Sequence, residues 1–582
     1  MEPAQNLIFF VLLYCGWIVA LCGYGCLFFK LIRWQKIIPV MPLPPFLVFG
    51  LSGILGLFFV SLIATIFNFF LPISPEIIFL ILLGGFISAY AFRNQITTYL
   101  SQTDRIAIYI CTIIILILIP LIWKNYYDTG LYHLPAMRWT LESPLTVGLA
   151  NLHGRFGFNS LWTPLISVID GFTIILNTPI FLLNGIMTVF FCSIAAIRSI
   201  RSYSGQKSLE FSDIFLLFSL IPIFRLGPFY INSTSPDYTI LILTLFILYL
   251  YLYAYENQIF LKNIFIMAFL LGLFAVTIKM SAIILCFCTV CSLVYYVYRG
   301  HNFSIKKSIF SLVTNLTKNV KTYYALLILA LLIVIIWLIR GILLSGYVLY
   351  PLPWTGIFDF PWSVPLSSAQ SDNDWVIGWA RNPGPDALSF LHNWTWIPKW
   401  FAWNVKYSFS VPIICLIVAV FLLLWRKIYF KSFFMKKEPF LHVTSISVIG
   451  VTFWFLSAPA YGFGMGAIFG LSLGFLAWGV YQYVAKDIPF QFSVRQCILV
   501  YYILLIIGGA TLYHLQTQPV LQLEFPHPAI DSKLTYEGYS VYTLKDGDQL
   551  WNSPLPNTPY FQKNISFRYQ EGGPLPRLIL PA

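Results

Sequence analysis

The stretch WKNYYDTGLYHLPAMRWTLESPLTVGLANLHGRFGFNSLW, Trp123 to Trp162, follows one long apolar run and precedes the next. It holds Asp128, His133, Arg138, Glu142, His153 and Arg155 among aromatics and amides, in a chain whose charged fraction is only 10%. Polar groups kept against a membrane body cost more than a plain connector requires. The segment therefore reads as the cap of a functional site at one membrane face. The apolar runs around it read as the helices that hold it.

Hydrophobic residues make up 59% of the 582, and the mean hydropathy is +0.79. No soluble core needs so much apolar surface, so the expectation is an all-α polytopic membrane protein. Apolar runs of about 17–25 residues specify helices, because barrel strands alternate in polarity. About 14 transmembrane helices are predicted. They lie near 7–31, 45–71, 77–92, 106–123, 172–197, 210–224, 238–255, 263–278, 280–298, 323–343, 409–425, 441–457, 463–484 and 497–513. The first run is followed by Lys30, Arg33 and Lys36 and reads as a retained helix rather than a cleaved leader. All ten cysteines fall in apolar runs, which leaves no disulfide framework for the loops. Cys288 and Cys291 form a CxxC with no second pair, the pattern of packing thiols rather than of a metal site.

With the N-terminus outside, the inner loops carry 21 of the 35 Lys and Arg, with clusters at 299–321 and 426–437. This positive-inside pattern explains the net charge of +13 without a nucleic-acid partner. Three polar regions then face outward: loop 123–162, loop 344–408 and the tail 514–582. The expected division is a transmembrane domain over 1–513, including both loops, and an extracytoplasmic appendage over 514–582. Proline turns and the alternating stretch Tyr539 to Leu544 predict a small β or irregular unit there.

After Asp128, the residues Leu131, Leu134, Met137 and Leu141 recur at helical spacing. They predict a short amphipathic helix in the interface, with Asp128 or Thr129 at its N-cap. Pro135 requires that helix to start late or bend. Asp128 is either a simple cap, or a general base or ligand of a divalent cation (Mg2+ or Mn2+) that holds a phosphate. His133, Arg138 and Glu142 share that helix and are candidate ligand contacts. In GLANLHGRFGFNS, Gly148 to Ser160, the glycines allow close backbone approach. His153 and Arg155 suit a phosphate, and Asn151 and Asn159 suit sugar hydroxyls or backbone pinning. The alternative for Arg155 is a salt bridge to Glu142 or Asp128. Arg225, Asp237, Lys279 and Arg340 sit at or near span ends, where an ionisable group is either functional or snorkels to the interface.

Loop 344–408 contains eight of the 18 tryptophans, Trp354 and Trp375 among them, together with Asp359, Asp372, Asp374 and Arg381. Aromatic faces beside carboxylates and amides suit a saccharide. An interfacial helix is predicted over Trp394 to Trp403.

The acidic residue after an early span, the outer loop with interfacial helices and the many spans resemble the GT-C superfamily of integral-membrane glycosyltransferases. More closely, YYDTGLYHLPAMRW, NLHGRFGFNSLW, STSPDY, TIKMSA, IRGILLSGYVLYP and SAPAYGFG are similar to a family of largely uncharacterised bacterial membrane proteins, over roughly residues 120–465. The resemblance implies a GT-C-like fold with Asp128 as catalytic base or metal ligand. It also implies a polyprenyl-phosphate-linked sugar as donor and a glycan, glycolipid or protein as acceptor. The setting implied is the lipid of a bacterial inner membrane, with the active face extracytoplasmic. At one turn the chain departs from the closer pattern: Ala460, Tyr461, Gly462 and Phe463 stand where Asp-Pro-Arg-Phe is usual, so an arginine contact is missing. Several spans precede Asp128, where GT-C enzymes have one. Two rival readings stay open. A transporter or flippase of lipid-linked saccharide would need a charged path through the spans. An O-antigen-type polymerase or ligase would rely on arginine and histidine instead of an acidic base.

Overall fold

The computed structural model describes residues 3–32, 44–98, 100–121, 126–203, 210–257, 261–299, 320–430, 437–484, 524–569 and 575–581. The first half forms α1 (Pro3–Leu31), α2 (Pro45–Phe70), α3 (Pro75–Ala91), α4 (Arg93–Thr98), α5 (Gln102–Leu121), α6 (Leu134–Glu142), α7 (Trp162–Ile175), α8 (Leu183–Tyr203), α9 (Phe211–Phe218) and α10 (Leu220–Tyr230). Then follow α11 (Pro236–Glu256), α12 (Leu261–Ile278), α13 (Ile283–Arg299), α14 (Val320–Ser345), α15 (Leu366–Arg381), α16 (Ile397–Tyr407), α17 (Ser410–Phe430), α18 (Lys437–Ser457) and α19 (Tyr461–Val484). The tail carries β1 (Ile530–Leu534), β2 (Ser540–Leu544), β3 (Ser566–Tyr569) and β4 (Pro576–Leu580). The expected span 497–513 and the start of the tail lie outside the described residues.

Among the described residues, ten helical segments are long and apolar enough to cross a membrane, and four shorter apolar helices accompany them. This is the helical architecture of a multi-pass membrane protein. A helix apolar on every face must be surrounded by protein or lipid. In α11 every residue from Asp237 to Tyr255 is buried, so protein surrounds it. It packs against α8, α9, α12, α18 and α19. The outer helices instead expose apolar stripes, such as Ile106, Ile110, Ile113 and Ile117 on α5, and Ile414, Ile417, Phe421 and Leu424 on α17. Small residues let α1 and α2 meet backbone to backbone: a Cβ on Gly25 would come within 1.8 Å of the Ser52 carbonyl oxygen.

One predicted span, 172–197, is two helices. The apolar run hides a break at 176–182, where Asn177 takes a φ of 50° and Pro179 follows. The Asp170 carboxylate accepts the Leu182 N–H at 2.6 Å and the Leu183 N–H at 3.4 Å, which starts α8. At 14 residues α7 is about 21 Å long, short of a bilayer core of roughly 30 Å. Both its ends lie on one side of the bundle. The Trp162 indole donates to the Thr234 carbonyl at 2.8 Å, and the Asn552 amide donates to the Ile174 carbonyl at 3.4 Å. The span expected at 210–224 runs on to Tyr230, with a break at Ser219 between α9 and α10.

Turns 231–235, 279–282 and 458–460, segments 126–161 and 346–409, and the tail all meet at this end. In the tail β1 pairs antiparallel with β2, Ile530 opposite Leu544, and β3 with β4, Ser566 opposite Leu580. Its core is shared. Val541, Ile565, Phe567 and Ile579 form one cluster with Trp139, Leu149, Leu152, Phe156 and Leu344. The tail and the first polar loop thus bury each other's apolar surface.

Candidate functional site

The helix predicted after Asp128 forms, and it solves the Pro135 problem by widening. Its first turn, Thr129–His133, is a π turn in which the Leu134 N–H donates to the Thr129 carbonyl, and α6 continues from it. A wide turn relieves the clash a proline ring makes with the preceding turn. Asp128 sits at the N-cap position without making a side-chain capping bond. Its carboxylate is left for other partners.

Those partners face a cavity of about 570 Å³. One end is polar, with Tyr126, Asp128, Tyr132, His133, Arg155 and Lys279 on its wall. An apolar arm also runs between helices. Ile240, Thr244 and Leu248 of α11 line it on successive turns, opposite Ile446, Gly450 and Phe453 of α18 and Ala467 of α19. Asp128 is half-buried, and the Tyr126 and Tyr132 hydroxyls reach its carboxylate. Burial raises the Asp128 carboxyl above its ordinary value; Arg155 and Lys279 pull it back in part, and Asp237 adds to the rise. Among the described residues Asp128 is the one carboxylate on the cavity wall.

His133 Nδ1 lies 2.8 Å from Thr234 Oγ1, which also sits 2.7 Å from Thr129 Oγ1. Burial, with Lys279 nearby, lowers the His133 imidazole to about 3, so it is neutral at physiological pH. Arg155 is half-buried, its guanidinium 5.0 Å from the Phe158 ring centre, and it forms no ion pair among the described residues. The salt bridge to Glu142 or Asp128 that the sequence allowed is not made. Lys279, at the break between α12 and α13, pairs with Asp237 at the start of α11 and lies 4.2 Å from the Phe463 ring centre. Asn159 joins the first polar loop to α14: its backbone carbonyl accepts the Trp337 indole N–H at 3.3 Å, and its Oδ1 accepts Arg340 Nη1 at 3.4 Å.

Other predicted residues are placed elsewhere. Arg138 pairs with Glu142 and donates to the carbonyls of Asn552 (2.8 Å) and Ser553 (2.7 Å), which fastens the tail. Asn151 donates to the carbonyls of Gly148 (3.1 Å), Trp362 (2.9 Å) and Ile579 (3.3 Å), tying together both loops and the tail. His153 packs edge-on to Phe156 and Tyr560. Burial and Arg155 lower it to about 3, so it brings no positive charge. Arg381 donates to the Phe390 carbonyl at 3.0 Å and shapes the second loop. Arg225 and Trp375 do not line the cavity, whereas Trp354 does. Tyr126 and Tyr132 are contacts that the sequence reading missed. Their spacing of two before and four after Asp128 was the available signal.

A protein-held cation does not fit this wall. Among the described residues no three His, Cys, Asp or Glu side chains gather at one point. Asp237 is engaged by Lys279, and Asp128 is flanked by Arg155 and Lys279.

The chain matches no curated protein and no solved structure. Residues 7–469, which take in both polar loops and the helices from α1 into the first part of α19, match the model described as "Domain of unknown function (DUF8201)", and the chain belongs to that family.

Proposed function

We propose that the protein is a membrane glycosyltransferase that moves a sugar from a polyprenyl-phosphate-linked donor to a glycan, glycolipid or protein acceptor. The observation that carries this reading is the two-part cavity. A polar end with one carboxylate and an arginine that has no ion-pair partner among the described residues continues into an apolar arm along α11, α18 and α19. Such a cavity suits a ligand with an anionic head and a long hydrocarbon tail.

In this reading Asp128 takes the proton of the acceptor hydroxyl. The hydroxyl oxygen forms the new bond to the anomeric carbon as the bond from that carbon to the lipid phosphate oxygen breaks. The electron pair leaves with the phosphate, and Arg155 meets the growing charge. A base raised by burial is better matched to neutral pH than an ordinary carboxylate. The site would face the extracytoplasmic side of a bacterial inner membrane, with the tail on the same side.

Reconstituted protein, a polyprenyl-phosphate sugar and a candidate acceptor test the reading. Asp128→Asn is expected to abolish transfer at unchanged protein level. Full transfer by that variant would remove Asp128 as the base, and a loss confined to Arg155→Ala would favour the arginine-based polymerase or ligase chemistry.

A further inference from the structure

We propose that Arg340 forms an anion-binding subsite in the wall of this cavity, and that it receives a phosphate group of a lipid ligand. The anion site stands on the geometry below; its lipid occupant rests on the transferase reading above.

Arg340 lies on the last turns of α14, lines the cavity and is only 5% exposed. Arginine keeps its charge at any ordinary pH, and burying a lone charge is costly unless something pairs with it. Among the described residues no carboxylate does. Its one hydrogen bond among the described residues is the long one to Asn159 Oδ1, and its Nε has no partner there. Arg198, also buried, shows the usual solution: its Nε and Nη2 both donate to Asp213, at 2.7 and 2.6 Å.

The surroundings of Arg340 are built to hold it. Asn159 is fixed on α14 by Trp337 and orients the guanidinium. Gly341 makes room for this contact, since a Cβ there would come within 2.9 Å of Asn159 Nδ2. Two further wall residues have buried polar atoms without partners, the Ser281 hydroxyl and the Trp139 indole N–H. The Arg340 guanidinium and the Trp139 indole can only donate, and the Ser281 hydroxyl is able to donate, so these groups suit a ligand with acceptor oxygens. Arg340 is carried by α14, an element other than those that carry Asp128, Arg155 and Lys279, and it lines the same cavity.

The test uses the full chain in detergent, with binding followed by its tryptophan fluorescence; Trp162 and Trp337 line the cavity. The probes are geranylgeranyl phosphate, geranylgeraniol, dihexanoyl phosphatidic acid and inorganic phosphate. Arg340→Gln is expected to weaken geranylgeranyl phosphate at least about tenfold and to leave geranylgeraniol unchanged, with Arg340→Lys in between. Equal binding of the phosphate by wild type and folded Arg340→Gln would overturn the subsite. If Arg340→Gln does not fold, competition on the wild type decides. Inorganic phosphate must displace geranylgeranyl phosphate and spare geranylgeraniol, and failure to do so overturns the proposal. Arg340-dependent binding of phosphatidic acid as tight as that of the isoprenyl phosphate keeps the subsite and assigns it to a phospholipid headgroup, against the donor. Loss of the transferase reading through Asp128→Asn would leave Arg340-dependent anion binding intact. Binding that does not depend on Arg340 would overturn the subsite without bearing on the Asp128→Asn test of transfer.

Discussion

Lys279 and Asp237 form an ion pair between the break that follows α12 and the first turn of α11, with the Phe463 ring against the ammonium. Gly462 presses on the same carboxylate: a Cβ there would lie 2.5 Å from Asp237 Oδ2. The cation facing Asp237 is supplied by the turn after α12, so this carboxylate is compensated within the protein.

Removing either partner of this pair should be costly. Asp237 is nearly buried, and Lys279→Ala would leave its carboxylate without a cation, a loss of about 3 kcal/mol. Lys279→Met with Asp237→Leu should cost less than the sum of the single changes. Thermal melting of the four proteins in one detergent measures this coupling. Additive losses would show that the pair contributes little.

Arg138 should matter to the tail and not to the ligand. Its guanidinium is the link from α6 to the carbonyls of Asn552 and Ser553. Arg138→Ala removes two charge-assisted hydrogen bonds and should loosen the tail by about 2 kcal/mol. Faster hydrogen exchange over 540–560, with lipid-phosphate binding retained, is the expected result. Unchanged exchange would show that the shared apolar cluster alone holds the tail.

The helical, membrane-spanning character of the chain was legible because long apolar runs have few other solutions. The break at 176–182 was not, because Asn177, Thr178 and Pro179 are a short interruption flanked by long apolar stretches, and the Asp170 bond that settles the turn lies outside the 172–197 run. In the site, Asp128, Arg155 and Lys279 were visible as charges beside spans, and the structure brings them to one cavity. The residues of the same loop that serve as fastenings look identical in sequence. Arg138, Asn151 and His153 differ from Arg155 only in having the tail and the second loop packed on them. Sequence alone gives no sign of where a distant tail will dock.

Arg155 differs from Arg138 in having no hydrogen-bond acceptor among the described residues, and its variants should separate accordingly. Arg155→Ala is expected to lower transfer by about 100-fold, since it removes the group that meets charge developing on the phosphate. Melting should shift little, because no ion pair is lost. Arg155→Lys should recover part of the rate, a point charge replacing a planar fork. A large drop in melting temperature with unchanged transfer would make Arg155 a structural residue.

Asp128 gives the prediction with a sign in pH. Its folded carboxyl is raised above the unfolded value of about 3.9, mainly by burial. The folded state therefore holds this proton more tightly than the unfolded one. The stability this contributes is fully present below the unfolded value and is lost as pH rises through the raised one. Asp128→Asn cannot ionise, so it should melt above the wild type at neutral pH, with the gap closing as pH falls toward 4. Transfer should run the other way. The wild-type rate should climb with pH through the same raised value, as the base becomes ionised, and then level off. Asp128→Asn should lose at least about 100-fold in rate and that rising limb with it. Melting and transfer measured across one pH series test both halves. A variant that melts below the wild type at neutral pH would show that the ionised carboxylate stabilises the fold, and a wild-type profile flat down to pH 4 would remove Asp128 from the proton transfer.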